Sequence, residues 1–79
     1  MILKNVVVNG RRTSVRLEKE VWNALSECCI KDKIPLNKLC SVLDNAKDDK
    51  SLSSAMRVHA LNFYRNLLEE YRFNVTSEE

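Results

Sequence analysis

Arg11-Arg12-Thr13-Ser14-Val15-Arg16-Leu17 alternates polar and apolar side chains and leads directly into a helical pattern, so its reading decides what the rest of the chain can be. Alternation at period two marks a half-buried strand. One face carries Thr13, Val15 and Leu17. The other carries Arg12, Ser14 and Arg16, which add nothing to a core but suit hydrogen bonding to a base edge. A lone strand leaves its backbone unpaired, and no second run of this kind follows. Its partner strand must come from the N-terminal segment or from another copy of the chain.

Upstream, Val6-Val7-Val8 is β-branched, and Asn9-Gly10 behind it is the strongest two-residue hairpin signal in the sequence. A hairpin would fold Lys4 to Val8 back onto Arg11 to Leu17. It would compete with a second subunit for the same strand edge, unless the two partners take opposite edges. Residues 1–9 are therefore read as an arm or a strand.

Downstream the period changes to about 3.6. Val21, Trp22, Leu25, Cys28 and Cys29 form the stripe of a first helix starting at Lys19. Glu18 and Glu20 sit at its positive end, and Glu27 and Lys31 form a pair four residues apart. Pro35 must lie outside this helix and suits the start of a second one, striped by Leu36, Leu39, Cys40, Leu43 and Ala46. The polar run from Asp44 to Lys50 reads as a loop or frayed end. Ser51 or Ser53 can cap a third helix. It carries Leu52, Ala55, Met56, His59, Phe63, Leu67 and Tyr71 on one side and Val58, Leu61, Tyr64 and Leu68 on another. So wide an apolar band points to a further subunit, a higher oligomer or a protein partner at this C-terminal helix.

Seventy-nine residues make one domain, too small to bury a generous core as a monomer. With 44% hydrophobic and 30% charged residues, one Gly and one Pro, the composition is that of a compact, mostly helical globule. The net charge is +2, but its distribution is uneven. The first 17 residues hold Lys4, Arg11, Arg12 and Arg16 and no acid, whereas the last 14 hold four Glu and one Arg. In a symmetric dimer two such basic ends would add their potentials, the footprint expected for a polyanion. The plain alternative is a solvated charged surface.

Cys28, Cys29 and Cys40 lack CxxC spacing, and the adjacent pair points about 100° apart on a helix, so a metal site with His59 is not expected. The thiols read as reduced core residues and the chain as cytoplasmic, with no membrane-spanning run. Trp22, Phe63, Tyr64, Tyr71 and Phe73, at helical spacing, read as core or interface. Neither a glycine-rich phosphate loop nor a paired-carboxylate site is present, so no enzyme, catalytic residue or cofactor is expected.

The run Gly10-Arg11-Arg12-Thr13-Ser14-Val15-Arg16-Leu17-Glu18, with Trp22 four residues on, resembles a bacterial subgroup of the ribbon-helix-helix (Arc/MetJ-like) family. Leu52-Ser53-Ser54-Ala55-Met56-Arg57-Val58 is similar to a later motif of the same subgroup, and the likeness covers Gly10 to about Tyr64. It implies a mainly α fold with a short N-terminal strand, built as a homodimer around an intermolecular antiparallel β-ribbon, with an added third helix. It also implies that the ribbon enters the major groove of double-stranded DNA, in a bacterial or phage regulator. The outward strand residues of the family match Arg12, Ser14 and Arg16, with Arg11 beside them. A phosphate would be held at Leu36, Asn37 and Lys38, where the second helix begins. Two departures stand out: Lys33 where many relatives have Gly, and Pro35 where a capping Ser is common.

These expectations divide the chain into residues 1–9, a ribbon-helix-helix domain over 10–72 and a short acidic tail over 73–79. The leading functional expectation is a DNA-binding repressor of transcription. An antitoxin using the same ribbon, and a homo-oligomeric module without DNA binding, are the alternatives.

Overall fold

A computed structural model describes residues 1–77, with side chains described through Arg72. The N-terminal segment is a strand: β1 (Ile2–Val8) pairs antiparallel with β2 (Arg11–Leu17), and paired residue numbers sum to 19 throughout, from Ile2 with Leu17 to Val8 with Arg11. The turn between them explains the pairing. Asn9 (φ 51°) and Gly10 (φ 81°) both take the left-handed conformation of a two-residue hairpin turn, which matches the twist of the strands. The ribbon in this structure is thus formed within one chain.

Three helices follow: α1 (Lys19–Asp32), α2 (Leu36–Ala46) and α3 (Leu52–Ser77). Lys33 ends α1 in the left-handed conformation (φ 55°), and the Ile34 N–H returns to the Cys29 carbonyl at 3.0 Å. That position usually belongs to Gly, so Lys33 fills the role of the glycine it replaces at some backbone strain. Pro35 is the N-cap of α2 and makes no side-chain cap. Ser51, rather than Ser53, caps α3, its Oγ accepting from the Ser54 N–H at 3.1 Å. α3 continues past Tyr71, where the apolar period ends, so the expected acidic tail lies partly on it. Glu78 and Glu79 lie outside the described residues.

Val6, Val15 and Leu17 from the hairpin, Trp22 and Leu25 from α1, Leu39 and Cys40 from α2, and Met56 and Ala60 from α3 meet in one buried core. Each large side chain in it contributes about 1.5–3 kcal/mol of hydrophobic stabilisation. The hairpin lies as a lid over this core.

Some expected contacts differ. The pair Glu27–Lys31 does not form, because both side chains reach across to α3. The Tyr64 hydroxyl donates to Glu27 Oε2 at 2.7 Å, and Lys31 Nζ pairs with Glu70 at 3.4 Å. Tyr71, grouped by spacing with Leu52, Met56 and Phe63 on one side of α3, is 67% exposed and follows Leu61, Tyr64 and Leu68 along the open side. The packed side uses Ala60 instead, since residues 56 and 60 are the ones that face α1 and the hairpin.

Candidate nucleic-acid interface

The hairpin has two faces, and the register assigns every residue to one of them. Even positions of β1 and odd positions of β2 face the core. Odd positions of β1 and even positions of β2 face away. The outward face therefore carries three cross-strand pairs: Leu3 with Arg16, Asn5 with Ser14, and Val7 with Arg12. All six side chains are exposed, whereas Val15 and Leu17 on the other face are buried. The expected outward triplet Arg12, Ser14 and Arg16 thus stands together in a row.

The turn residues fix which edges are open. In a two-residue hairpin the pair flanking the turn, Val8 and Arg11, is hydrogen-bonded, and bonded pairs alternate from there. The outward pairs are the unbonded ones, so their side chains approach closely, while their backbone groups point to the outer edges of the ribbon. On β1 that edge is covered beside the turn: the Val7 N–H donates to Asn37 Oδ1 at 3.0 Å, and the Asn9 N–H of the turn donates to Ser41 Oγ at 2.9 Å. Asn9 Nδ2 adds bonds to Asp44 Oδ2 (3.2 Å) and Asn45 Oδ1 (3.0 Å), so α2 clamps both β1 and the turn. On β2 the backbone groups of Arg12, Ser14 and Arg16 have no hydrogen-bond partner among the described residues.

The remaining expected site residues are dispersed. Arg11 is exposed but belongs by register to the core-side parity, opposite Val8 at the turn. Lys4, part of the basic N-terminus, also falls on that side, its Nζ 5.2 Å from the centroid of the Trp22 ring. Leu36, Asn37 and Lys38 form the first turn of α2, whose first backbone bond is Leu39 N–H to Pro35 O at 3.0 Å. Their three amides precede the helical ladder. The Asn37 side chain, however, is spent on the edge of β1. Sequence reading missed Asn5, whose Oδ1 accepts from the Ser14 hydroxyl at 2.7 Å in the centre of the outward face.

A sheet face of this kind, with its core on the reverse and arginines on the obverse, belongs to a known class of domain. The family model for the ribbon-helix-helix domain matches residues 1–64. The chain belongs to the ribbon-helix-helix family. The match takes in the hairpin, α1, α2 and the first half of α3; the remainder of α3 extends beyond it. No curated protein and no solved structure matches the chain.

Away from the ribbon, this ribbon-helix-helix chain holds a cleft of about 410 Å³ between α1 and α3, lined by Cys28, Asp32, His59 and Phe63 among others. Cys28 Sγ lies 3.3 Å from His59 Nε2 and 3.4 Å from Asp32 Oδ2. Burial, and then the bond to Asp32, push the Cys28 thiol up to about 11, and burial pushes Cys40 up to about 11 as well. Burial raises Cys29 in the same direction. Thiols held protonated are poor nucleophiles and poor metal ligands. No group of three or more His, Cys, Asp or Glu able to hold a metal occurs among the described residues. Glu18 pairs with Arg57 Nε at 2.9 Å; a hydrogen bond from its own backbone, and then Arg57, hold its carboxyl below the usual range. Among the described residues, no helix is long and apolar enough to cross a membrane.

Proposed function

We propose that the protein is a cytoplasmic homodimeric repressor that binds duplex DNA sequence-specifically through the outward face of the hairpin. The observation that carries this reading is the exposed row Arg12, Ser14, Arg16 on a ribbon whose other face buries Val6, Val8, Val15 and Leu17. Arginine is suited to guanine O6 and N7, and a β-ribbon fits the major groove. The open edge of β2 supports the dimer: two copies pairing there antiparallel would satisfy the free backbone groups and form a sheet in the order β1–β2–β2–β1.

Dimensions then divide the labour. With strands about 4.8 Å apart, the two β1 strands of such a sheet lie roughly 14 Å from each other, whereas the major groove is about 12 Å wide. The paired β2 strands enter the groove and the β1 strands ride at its rims. α2 begins beside β1, tied by Asn37 to Val7. The free amides of Leu36, Asn37 and Lys38, with the Lys38 side chain, are thereby brought to the phosphates that border the groove.

A second reading, an antitoxin or higher oligomer, is favoured by one observation. Leu61, Tyr64, Leu68 and Tyr71 stand exposed at three- and four-residue spacing on α3. The two readings share the ribbon and differ in whether α3 engages another protein.

The test is retention of random duplexes at several salt concentrations, with sedimentation of the free protein. A dimer neutralising on the order of four to eight phosphates loses affinity with a log–log slope of roughly −4 to −7. A monomer that retains no duplex at about 50 mM salt would end the proposal.

A further inference from the structure

We infer that Asn5 sets the base preference of the ribbon by fixing the Ser14 hydroxyl as a hydrogen-bond acceptor, so that Ser14 selects adenine or cytosine in each half-site. The inference rests on the proposed reading of DNA by the hairpin face.

A serine hydroxyl has one proton and two lone pairs, and by itself meets donors and acceptors on base edges alike. Here its single proton is committed. Asn5 stands opposite Ser14 in an unbonded pair, where side chains are closest, and Ser14 Oγ lies 2.7 Å from Asn5 Oδ1. That separation is the usual length of an O–H···O bond, whereas an amide N–H donating to oxygen is ordinarily about 2.9–3.0 Å. The hydroxyl therefore gives its proton sideways to β1. What it turns outward is lone-pair density alone.

The major-groove edges sort cleanly against such a group. Adenine N6 and cytosine N4 are the exocyclic amino donors, whereas guanine O6 and N7 and thymine O4 are acceptors. An acceptor-only Ser14 bonds the amino bases and meets unfavourable lone pairs on the keto bases. Asn5 itself sits one strand further from the ribbon axis, at the groove rim, so its part is to position Ser14 rather than to touch the base. Among the neighbouring side chains of this face Asn5 Oδ1 is the acceptor within reach: those flanking Asn5 are Leu3 and Val7, and those flanking Ser14 are Arg12 and Arg16, which only donate.

The experiment is selection from random duplexes with the full-length protein and with Asn5→Ala, Asn5→Asp and Ser14→Ala, circular dichroism confirming the fold of each. The wild type is expected to enrich adenine or cytosine over thymine or guanine by roughly ten-fold at one position of each half-site. Asn5→Ala and Ser14→Ala lose that preference but keep those at the positions read by Arg12 and Arg16. Asn5→Asp binds every duplex more weakly through its charge yet keeps the preference, because a carboxylate accepts the same proton. A wild-type preference for keto bases, an Asn5→Ala protein that still prefers amino bases, or an Asn5→Asp protein that loses the preference would each overturn the inference while leaving ribbon reading intact. Absence of any sequence preference in the wild type would overturn both.

Discussion

Replacing Asn9 by Ala tests how the hairpin is held in its working position. Two effects add. The substitution removes the bonds from Asn9 Nδ2 to Asp44 Oδ2 and Asn45 Oδ1, which are exposed and so contribute about 0.5–1.5 kcal/mol each. It also replaces Asn, one of the few Cβ-bearing residues that tolerate φ 51°, by Ala, which does not, at a cost of about 1–2 kcal/mol. The expected loss is about 2–5 kcal/mol, a large share of the stability of so small a domain. Asn9→Gly keeps the turn conformation and gives up the two bonds, so it should fall between Asn9→Ala and the wild type. Urea unfolding followed by far-ultraviolet circular dichroism, at one fixed protein concentration, measures both. If Asn9→Ala unfolds within about 0.5 kcal/mol of the wild type, in the range of an inert surface change, the clamp between turn and α2 contributes nothing and the argument is refuted.

Lys33→Gly should stabilise the protein by up to about 1 kcal/mol, since it relieves a left-handed lysine at the end of α1; a higher urea midpoint is the readout. The raised thiols give a pH prediction. Cys28 and Cys40 bind their protons more tightly folded, at about 11, than at their ordinary value near 9, so stability present below pH 9 declines as pH rises toward 11. Thermal melts between pH 8 and 11 follow that decline, and mass spectrometry after alkylation at pH 8 should find Cys29, the partly exposed thiol, modified first.

The division of β2 into two faces was legible because its alternation is unbroken: Val15 and Leu17 are buried and Arg12, Ser14 and Arg16 exposed, as the period requires. The helices and the added α3 followed from their stripes, and the ribbon-helix-helix family from the strand and Leu52–Val58 motifs. β1 was harder. Val6, Val7 and Val8 form a continuous apolar run in which the first and third are buried and the middle one exposed, so periodicity could not tell a strand from an arm. The signal that would have located Asn5 was nevertheless there. A two-residue Asn-Gly turn fixes the register, and counting outward from it sets Asn5 against Ser14 and puts Lys4 and Arg11 on the core side. Charge counting, which ignores parity, grouped those two with the outward arginines. The tie from Asn37 to Val7 was not legible, because it joins residues 30 positions apart and depends on how α2 docks.

The most direct measurement of the central claim compares Arg12→Ala and Arg16→Ala with the wild type on a preferred duplex and on random duplex at the same salt. If these side chains read bases, each substitution costs about 1–3 kcal/mol per lost contact on the preferred duplex, twice over in a symmetric dimer, and far less on random sequence. Both proteins should remain folded, because the two side chains lie on the face opposite Val15 and Leu17. Equal losses on the preferred and random duplexes would contradict the account, leaving the ribbon a patch of positive charge that attracts DNA without reading it.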